Sequence, residues 1–393
     1  MKKIALYVAT IVFLVIGTTT VILYGRGYNF NFVDGKIGVF GTGLLAVTSQ
    51  PDGAGIYIDD HLTSATNNTI NLPPGEYNVK IAKSGYSTWN KKIKIEKEVV
   101  SNVYAFLIPT APKLDNITEA GVENPVLDPT RTKIAYTVSS SDDPRKNGVY
   151  ILDMGLRPIL TLQSSSSQIV GDTIDDFSKA SLSWSPDAKE LVATISAGPG
   201  ATTYLLKTTF NENPQDITAT LASVDSTWKE QKTNQDDSQL LGLKTSLQNL
   251  IKDHFTVLSW SEDETKILYT ASDSATLPLI INPPLIGTNS TSEARNINKG
   301  AVYVYDIKED KNFKILDANT LSLNWFADSK HLIYIVDGKI NIMDYDGQNK
   351  TTIYAGPFID DFVFSWPDAS KILILTNLGN PTILPNLYTI GLK

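Results

Sequence analysis

The chain has 393 residues, of which 42% are hydrophobic and 19% charged, with a net charge of -8 and a pI near 5.0. This length and apolar content allow two or three domains with buried cores, and the acidic balance argues against a protein that wraps nucleic acid. The sequence contains no cysteine, which excludes disulfides, thiol nucleophiles and thiolate metal sites. Such a composition fits a bacterial envelope protein that does not depend on disulfides.

The first predicted element is an uncharged, mostly apolar helix at Ile4–Tyr24. At about 1.5 Å per residue it would be roughly 30 Å long, the thickness of the hydrocarbon core of a bilayer. Lys2 and Lys3 precede it and Arg26 follows, which predicts a cytoplasmic N-terminus and an extracytoplasmic location for the later residues. A cleaved signal peptide is the alternative, but its cleavage site would be poor. We therefore expect an uncleaved, single-pass anchor in the cell membrane.

The next predicted elements are short β-strands. Residues 28–40 alternate between apolar and polar side chains around Asp34-Gly35, which predicts a hairpin. Six further strands, separated by turns that contain Pro, Gly or Asn, predict a small antiparallel sandwich. They lie at residues 43–49, 55–60, 69–72, 76–86, 91–97 and 102–109.

Part of this region resembles a PEGA domain, a small β module of prokaryotic surface proteins. The resemblance covers about residues 43–109 and rests on a Ser-x-Pro-x-Gly-Ala turn, a strand that ends in Asp, a Pro-Gly-x-Tyr turn and a Lys-x-Gly-Tyr step. These hallmarks match residues 49–54, 56–59, 74–77 and 83–86. The usual Gly-x-Thr-Pro segment is replaced by HLTSATNN, so the shape of that loop is left open. Tyr86 and Trp89 could stack on a sugar or peptide, although the interpretation we favour is that they cover the open end of a small core.

A fourteen-residue pattern then occurs five times. The clearest copies are LSWSPDAKELVATI at 182–195 and LSWSEDETKILYTA at 258–271. Each copy reads as a strand, a turn and a second strand, and most copies are followed by a strand that contains Tyr. This unit predicts a four-stranded meander, and its repetition predicts a β-propeller of five or six blades over 121–393. The anchor residues of the five turns are Thr130, Asp187, Asp263, Asp328 and Asp368.

The repeated unit resembles the TolB-like, WD-repeat-like propeller blades of bacterial proteins. The resemblance implies that the Trp and Asp positions are structural and that the rim and central channel face a partner. Ser185 and Asp187 are accordingly interpreted as turn residues, although a Trp-Ser-Pro-Asp cluster in isolation could belong to an active site. Residues 111–120 are interpreted as a linker or as the strand that closes the ring.

Two insertions interrupt the repeat. The segment at 236–255 predicts an amphipathic helix that begins near residues 236–238. Its apolar face contains Leu240, Leu243, Leu247, Leu250 and Ile251. Residues 275–300 are rich in Pro and Asn, which predicts a long loop excursion.

Residues with the chemistry of a metal or hydrolase site are few. His61, His254 and His331 lack metal-ligand spacing, and we interpret His331 as a solvent-facing strand residue. The Gly-x-Ser-x-Gly elbow of serine hydrolases does not occur in the sequence. We therefore predict no catalytic residue, no cofactor and no metal.

Two acidic features leave alternatives open. The segment DYDGQN at 344–349 lacks the distal ligands of a calcium loop and is interpreted as a hairpin turn. The acid pairs at 175–176 and 360–361 leave open a glycosidase carboxylate pair assembled across blades. Spacing along the sequence does not decide whether such a pair forms.

Together these observations predict a mainly β protein with a transmembrane helix, a PEGA-type sandwich and a propeller with one helical insertion. The predicted segments are 1–27, 28–110, 111–120 and 121–393. The predicted function is a non-catalytic, membrane-anchored binding or scaffold protein of the envelope, with the sandwich as a spacer or surface-binding module. Its propeller would bind an envelope protein or a glycan, and no nucleic acid. The alternatives are a glycan-active enzyme with acidic residues at the channel mouth and a mechanical surface-layer component, and the oligomeric state is left open.

Overall fold

The computed structural model describes residues 2–25, 28–33, 36–141, 143–155, 166–197, 200–319, 321–359 and 362–393. The fold is mainly β, with α-helices α1 (Lys2–Gly25), α2 (Leu221–Leu241) and α3 (Thr245–His254) in these ranges and short 3₁₀ turns at Pro144–Lys146 and Phe177–Lys179. A hairpin of β1 (Tyr28–Val33) and β2 (Lys36–Gly41) follows α1, and the turn predicted at Asp34-Gly35 lies outside the described residues.

Across these ranges, no helix combines the length and the apolarity that a membrane crossing requires. The predicted transmembrane helix at Ile4–Tyr24 is therefore wrong, and so are the membrane contact and single-pass localisation inferred from it. The prediction rested on an uncharged, mostly apolar segment that, as a helix, would be about as long as the hydrocarbon core of a bilayer is thick.

The next seven strands form two sheets packed face to face, which we call the N-terminal sandwich. The strands are β3 (Gly43–Gln50), β4 (Gly55–Ile58), β5 (His61–Ala65), β6 (Asn68–Leu72), β7 (Gly75–Ala82), β8 (Trp89–Ile95) and β9 (Val100–Phe106). Their orders are β6-β3-β9 and β5-β4-β7-β8. Alternating side chains such as Leu45, Val47, Ile56 and Ile81 are fully buried between the sheets, as period-two patterning requires.

Strand direction in the sandwich differs from the prediction at one pair. β3 and β9 run parallel, with Leu44 opposite Val100 and Gln50 opposite Phe106. Hydrophobic alternation selects the buried face of each strand but carries no information about the direction of its neighbour. The segment HLTSATNN contributes β5, an edge strand that pairs with β4.

Five four-stranded antiparallel sheets follow and form the blades of a propeller. Blades 1 to 4 have the orders β11-β12-β13-β14, β15-β16-β17-β18, β19-β20-β23-β24 and β25-β26-β27-β28, while blade 5 has the order β10-β31-β30-β29. The strands up to blade 2 are β10 (Leu114–Asn116), β11 (Glu123–Leu127), β12 (Lys133–Val138), β13 (Gly148–Asp153), β14 (Ser166–Gly171), β15 (Ser181–Trp184), β16 (Glu190–Ala197), β17 (Gly200–Lys207) and β18 (Gln215–Asp216). Those of blades 3 to 5 are β19 (Phe255–Trp260), β20 (Lys266–Ala271), β23 (Val302–Asp306), β24 (Lys311–Leu316), β25 (Leu323–Trp325), β26 (His331–Val336), β27 (Lys339–Asp344), β28 (Thr351–Tyr354), β29 (Val363–Ser365), β30 (Lys371–Thr376) and β31 (Asn386–Gly391).

The fifth blade joins two distant parts of the chain. β10 lies outermost and pairs with β31, with Leu114 opposite Ile390 and Asn116 opposite Tyr388. Clusters of buried side chains lie between blades 1 and 2, 3 and 4, and 4 and 5, and again between blades 5 and 1. These clusters link the blades in the order 3, 4, 5, 1 and 2.

The repeated motif forms the same turn in every blade. The residue after each anchor has positive φ, at Arg131, Ala188, Glu264, Ser329 and Ala369. In blade 2 the Ser185 N–H donates to the Glu190 carbonyl at 2.9 Å, and Phe326 and His331 repeat this bond in blade 4. The indole of Trp184 donates to the Val126 carbonyl of the preceding blade at 3.1 Å. The motif is thus a structural unit that shapes a hairpin and joins neighbouring blades.

We expect Ser185→Ala to lower the free energy of unfolding by about 1–2 kcal/mol, because the buried hydroxyl accepts the N–H groups of Lys189 and Glu190 at 3.2 and 3.0 Å. Urea denaturation monitored by tryptophan fluorescence would measure the loss. Ser181→Ala, at an exposed serine of the strand that ends just before Ser185, is the matched control and should change stability by less than about 0.5 kcal/mol. Equal effects of the two substitutions would contradict the role assigned to Ser185.

The helical insertion begins earlier than predicted and contains two helices. α2 starts at Leu221, has no buried residue and therefore lacks the periodicity that sequence analysis detects. A break at residues 242–244 precedes α3, whose Leu247, Leu250 and Ile251 are buried against blade 3. Residues 236–238, predicted to cap a new helix, lie inside α2. The excursion at 275–300 contains a short pair, β21 (Ala275–Thr276) with β22 (Asn296–Ile297).

Candidate functional site at the domain junction

The N-terminal sandwich is joined to blade 4 where the repeat departs from its pattern. The fourth copy has Phe326 where copies two and three have Ser185 and Ser261. Phe326 is fully buried, and its ring centroid lies 5.4 Å from that of Phe106 at the end of β9. The aromatic pair places apolar surface of the sandwich directly on the turn of blade 4.

His331 lies beneath this aromatic contact, between two carboxylates. Its Nδ1 is 2.6 Å from Asp328 Oδ2, and its Nε2 is 3.2 Å from Asp344 Oδ1. Burial alone lowers the pKa of a histidine, but the charges and hydrogen bonds of Asp328 and Asp344 raise the pKa of His331 to about 10. The ring is only 4% exposed, so the prediction of a solvent-facing residue is wrong. The sandwich covers a strand position that faces solvent in an isolated blade.

Asp344 also receives a side chain from the sandwich. The indole Nε1–H of Trp89 donates to Asp344 Oδ2 at 3.1 Å, and the amide of Asn349 donates to the same oxygen at 2.9 Å. The backbone N–H of Asn90 donates to Asn349 Oδ1 at 2.9 Å. Trp89 is 4% exposed and therefore does not offer an open stacking surface for a ligand.

Asp346 connects three parts of the chain. Its carboxylate pairs with Lys91 of β8 and accepts hydrogen bonds from Asn289 and Thr291 of the excursion at 2.8 and 2.7 Å. Burial raises the pKa of this carboxyl, but Lys91 and the hydroxyl and amide donors outweigh burial and lower it. The DYDGQN turn therefore uses both of its aspartates to hold the sandwich and the excursion on blade 4.

The excursion is itself fixed from within blade 3. Asp310 is buried, and its Oδ2 accepts the N–H groups of Ile280 and Ile281 at 2.7 and 2.8 Å. Tyr305 donates to Asp310 Oδ1 at 2.6 Å, and Arg295 pairs with the same atom at 3.3 Å. The excursion is thus held by defined contacts and packs beside the sandwich, where a Cβ on Gly287 would lie 2.5 Å from Val99.

A cavity of about 480 Å³ lies between the sandwich, blades 3 and 4, and the excursion. Its blade 3 wall contains Lys266, Asp306 and Glu309, and its opposite wall contains Tyr104 of β9. Burial raises the pKa of both Asp306 and Glu309. Its volume lies within the range of small-molecule sites.

The remaining predicted candidates do not converge on this cavity. His61 is exposed and contacts the Asp59 carbonyl, and His254 contacts Asp273 at 2.9 Å. Asp175 accepts a hydrogen bond from Tyr204 and Asp176 pairs with Lys179, both on blade 2 and its preceding loop. The acid pair at 360–361 lies outside the described residues. Within the ranges that the structure describes, no three His, Asp or Glu side chains are grouped to hold a metal ion.

A long side chain joins the turn of blade 1 to the first strand of blade 4. Arg131, from the turn of blade 1, donates to the Trp325 carbonyl of blade 4 at 3.2 Å. Blades 1 and 4 are not neighbours, so the guanidinium reaches across the ring at the face that carries the turns. Neither insertion contributes this contact.

One known protein family matches the part of the chain that forms the N-terminal sandwich. The PEGA domain family matches residues 42–110. We therefore call the N-terminal sandwich the PEGA domain from here on. The PEGA domain contains all seven strands from β3 to β9 and supplies Trp89, Lys91 and Phe106 to the junction.

The comparison with curated proteins found no match for this chain. Among solved structures, the chain is similar to a putative TolB from Agrobacterium tumefaciens, with 13% identity over 67% of this chain and 76% of that one and a TM-score of 0.22. TolB from Acinetobacter baumannii has 12% identity over 91% and 65% of the two chains and a TM-score of 0.23. An acylaminoacyl peptidase from Pyrococcus horikoshii has 12% identity over 70% and 38% and a TM-score of 0.20. At these TM-scores the similarities carry no argument about function.

Sequence analysis missed the residues of the junction, although a signal was present. Among the five copies, only the fourth combines an aromatic residue in the turn with a histidine at the start of the second strand. An aromatic turn residue together with a histidine at a strand position that is otherwise Lys or Glu indicates contact with something outside the repeat. The PEGA domain is that neighbour.

Proposed function

We propose that this protein is a non-catalytic binding and scaffold protein in which the PEGA domain and the propeller act as one body. The combination of a PEGA domain with a β-propeller supports a binding or scaffold role in general. The observation that carries the proposal is the set of buried polar bonds at the junction, from Trp89 and Lys91 to Asp344 and Asp346. Buried charge pairs of this kind fix geometry more than they add stability.

A fixed junction suits a partner that contacts both domains at once. The two domains then present one continuous surface, and a partner that binds it does not have to order a flexible linker. We therefore propose a protein partner that spans the PEGA domain and blade 4.

Affinity capture with the purified full-length chain tests this proposal. We expect one protein partner to be retained by the wild type and by Ser185→Ala, whose substitution lies away from the junction. Trp89→Phe, which removes the hydrogen bond to Asp344, should weaken retention. Retention that does not change with Trp89→Phe would contradict a partner that spans both domains. Release of products from peptide or glycan libraries, measured by mass spectrometry, would contradict the non-catalytic assignment.

A further inference from the structure

The charges around the junction cavity divide into two groups. Lys91, His331, Asp344 and Asp346 are paired with one another or with further side chains across the domain boundary. Lys266, Asp306 and Glu309 line the same cavity, and no ion pair joins any of them to an opposite charge in the described part of the chain. The first group explains how the domains are held together. The second group has no such structural role.

Lys266 is a buried cation with few partners. Lys266 is 8% exposed. Its Nζ donates a hydrogen bond to Thr265 Oγ1 at 3.0 Å and lies 4.8 Å from the ring centroid of Tyr345. An ammonium has three N–H donors, so one hydrogen bond leaves most of its capacity unused. Asp263, Asp306 and Glu309 attract this ammonium through their charge, but none of them forms an ion pair with it. Its remaining N–H donors are therefore free to bind a ligand.

Two acidic side chains on the same wall, Asp306 and Glu309, likewise form no ion pair within the described residues. Asp306 is 4% exposed, and its carboxylate accepts the backbone N–H groups of Lys308 and Glu309, each at 2.9 Å. Glu309 accepts the N–H of Asn289 at 2.9 Å. Burial raises the pKa of both carboxyls and outweighs the nearby positive charges, Lys266 for Asp306 and Lys311 with Lys266 for Glu309, which act in the opposite direction.

We propose that the junction cavity binds a small zwitterion, a free amino acid or a short peptide, whose carboxylate pairs with Lys266 and whose ammonium pairs with Asp306 and Glu309. A ligand of only one charge would satisfy one of these groups and leave the other unpaired. The volume of about 480 Å³ lies within the range of small-molecule pockets. This site is separate from the proposed partner surface, and either can be present without the other.

Isothermal titration calorimetry on the full-length chain tests the proposal with L-alanine, glycylglycine, acetate and methylammonium as probes. We expect at least one zwitterion to bind, and the two singly charged probes to bind at least about tenfold more weakly, because each loses a charged hydrogen bond. Lys266→Met should weaken zwitterion binding by at least about tenfold for the same reason.

Thermal denaturation of the same variant separates ligand binding from a structural role. The melting transition of Lys266→Met checks that this variant remains folded, since the ammonium that it loses also attracts the carboxylates of Asp263, Asp306 and Glu309. Lys371→Met is the matched control: Lys371 occupies the same repeat position in blade 5, covers the Trp366 ring at 4.0 Å and lies outside the cavity. It should leave zwitterion binding intact. Absence of zwitterion binding, equal binding of the singly charged probes, or unchanged binding in folded Lys266→Met would each overturn the proposal.

Discussion

His331→Gln should lower the free energy of unfolding by about 3–5 kcal/mol, because it leaves two buried carboxylates without their cation. His331 contacts Asp328 at 2.6 Å and Asp344 at 3.2 Å, and Asp344 in turn holds Trp89 of the PEGA domain. Loss of the imidazolium should therefore weaken both blade 4 and the junction. Urea denaturation of the full-length chain measures the change.

Lys371→Gln is the matched control for this substitution. Lys371 starts the second strand of blade 5, as His331 does in blade 4, but its ammonium only covers the Trp366 ring. An exposed cation–π contact contributes about 0.5–1 kcal/mol, so the control should lose no more than that. Similar losses in the two variants would show that the imidazolium between Asp328 and Asp344 has no special role.

The pH dependence of stability gives an independent test of the His331 charge. The pKa of His331 is raised from 6.5 in the unfolded chain to about 10 in the folded protein, so the folded state holds the proton more tightly. The stabilisation is fully present below about pH 6.5 and is lost as the pH rises toward 10, at no more than about 1.4 kcal/mol per pH unit. The difference in stability between wild type and His331→Gln should therefore shrink from pH 6.5 to pH 9. A difference that grows over this interval would contradict a protonated His331.

Phe326→Ser should separate the PEGA domain from blade 4. The substitution gives the fourth turn the serine that copies two and three carry, but it removes the ring that packs against Phe106. Truncating a buried phenylalanine costs about 3–5 kcal/mol, and the new hydroxyl can recover about 1 kcal/mol through the turn hydrogen bonds. We expect a net loss of about 2–4 kcal/mol, expressed mainly as undocking of the PEGA domain.

Spin labels measure this undocking directly. The chain has no cysteine, so Lys92→Cys and Lys350→Cys would place one exposed label on each domain without further substitutions. Electron–electron distances should form one narrow distribution in the wild-type background and a broad one with Phe326→Ser. Ser185→Ala in the same labelled background is the control and should keep the narrow distribution. A narrow distribution with Phe326→Ser would show that Phe326 does not hold the domains together.

Several features of this protein could be predicted from its sequence. The PEGA hallmarks at residues 49–54 and 74–77 located the N-terminal domain, and the repeated Trp-Ser-Pro-Asp turn located the blades. These features depend on local chemistry, since a turn needs residues that tolerate positive φ and a half-buried strand needs alternating side chains. The same reasoning failed for α2, whose exposed surface has no apolar period, and for the predicted membrane span.

The candidate site could not be read from local patterns. Lys266, Asp306 and Glu309 belong to one blade, but the cavity they line exists only because the PEGA domain and the excursion cover that blade. His331 has the sequence context of an exposed strand residue, and its burial between Asp328 and Asp344 arises from a domain that precedes it by more than two hundred residues.

The sequence by itself determined the β-rich units of this protein, because turns and alternating strands are set by neighbouring residues. The repeated LSWSPDAKELVATI motif is one such unit, and its Ser185 and Asp187 hydrogen-bond to each other in a hairpin turn. The tertiary structure alone decided which surfaces of those units are covered, and hence where charge is buried. Burial depends on contacts between distant segments, and it is burial that gives His331, Lys266 and Asp306 their chemical character.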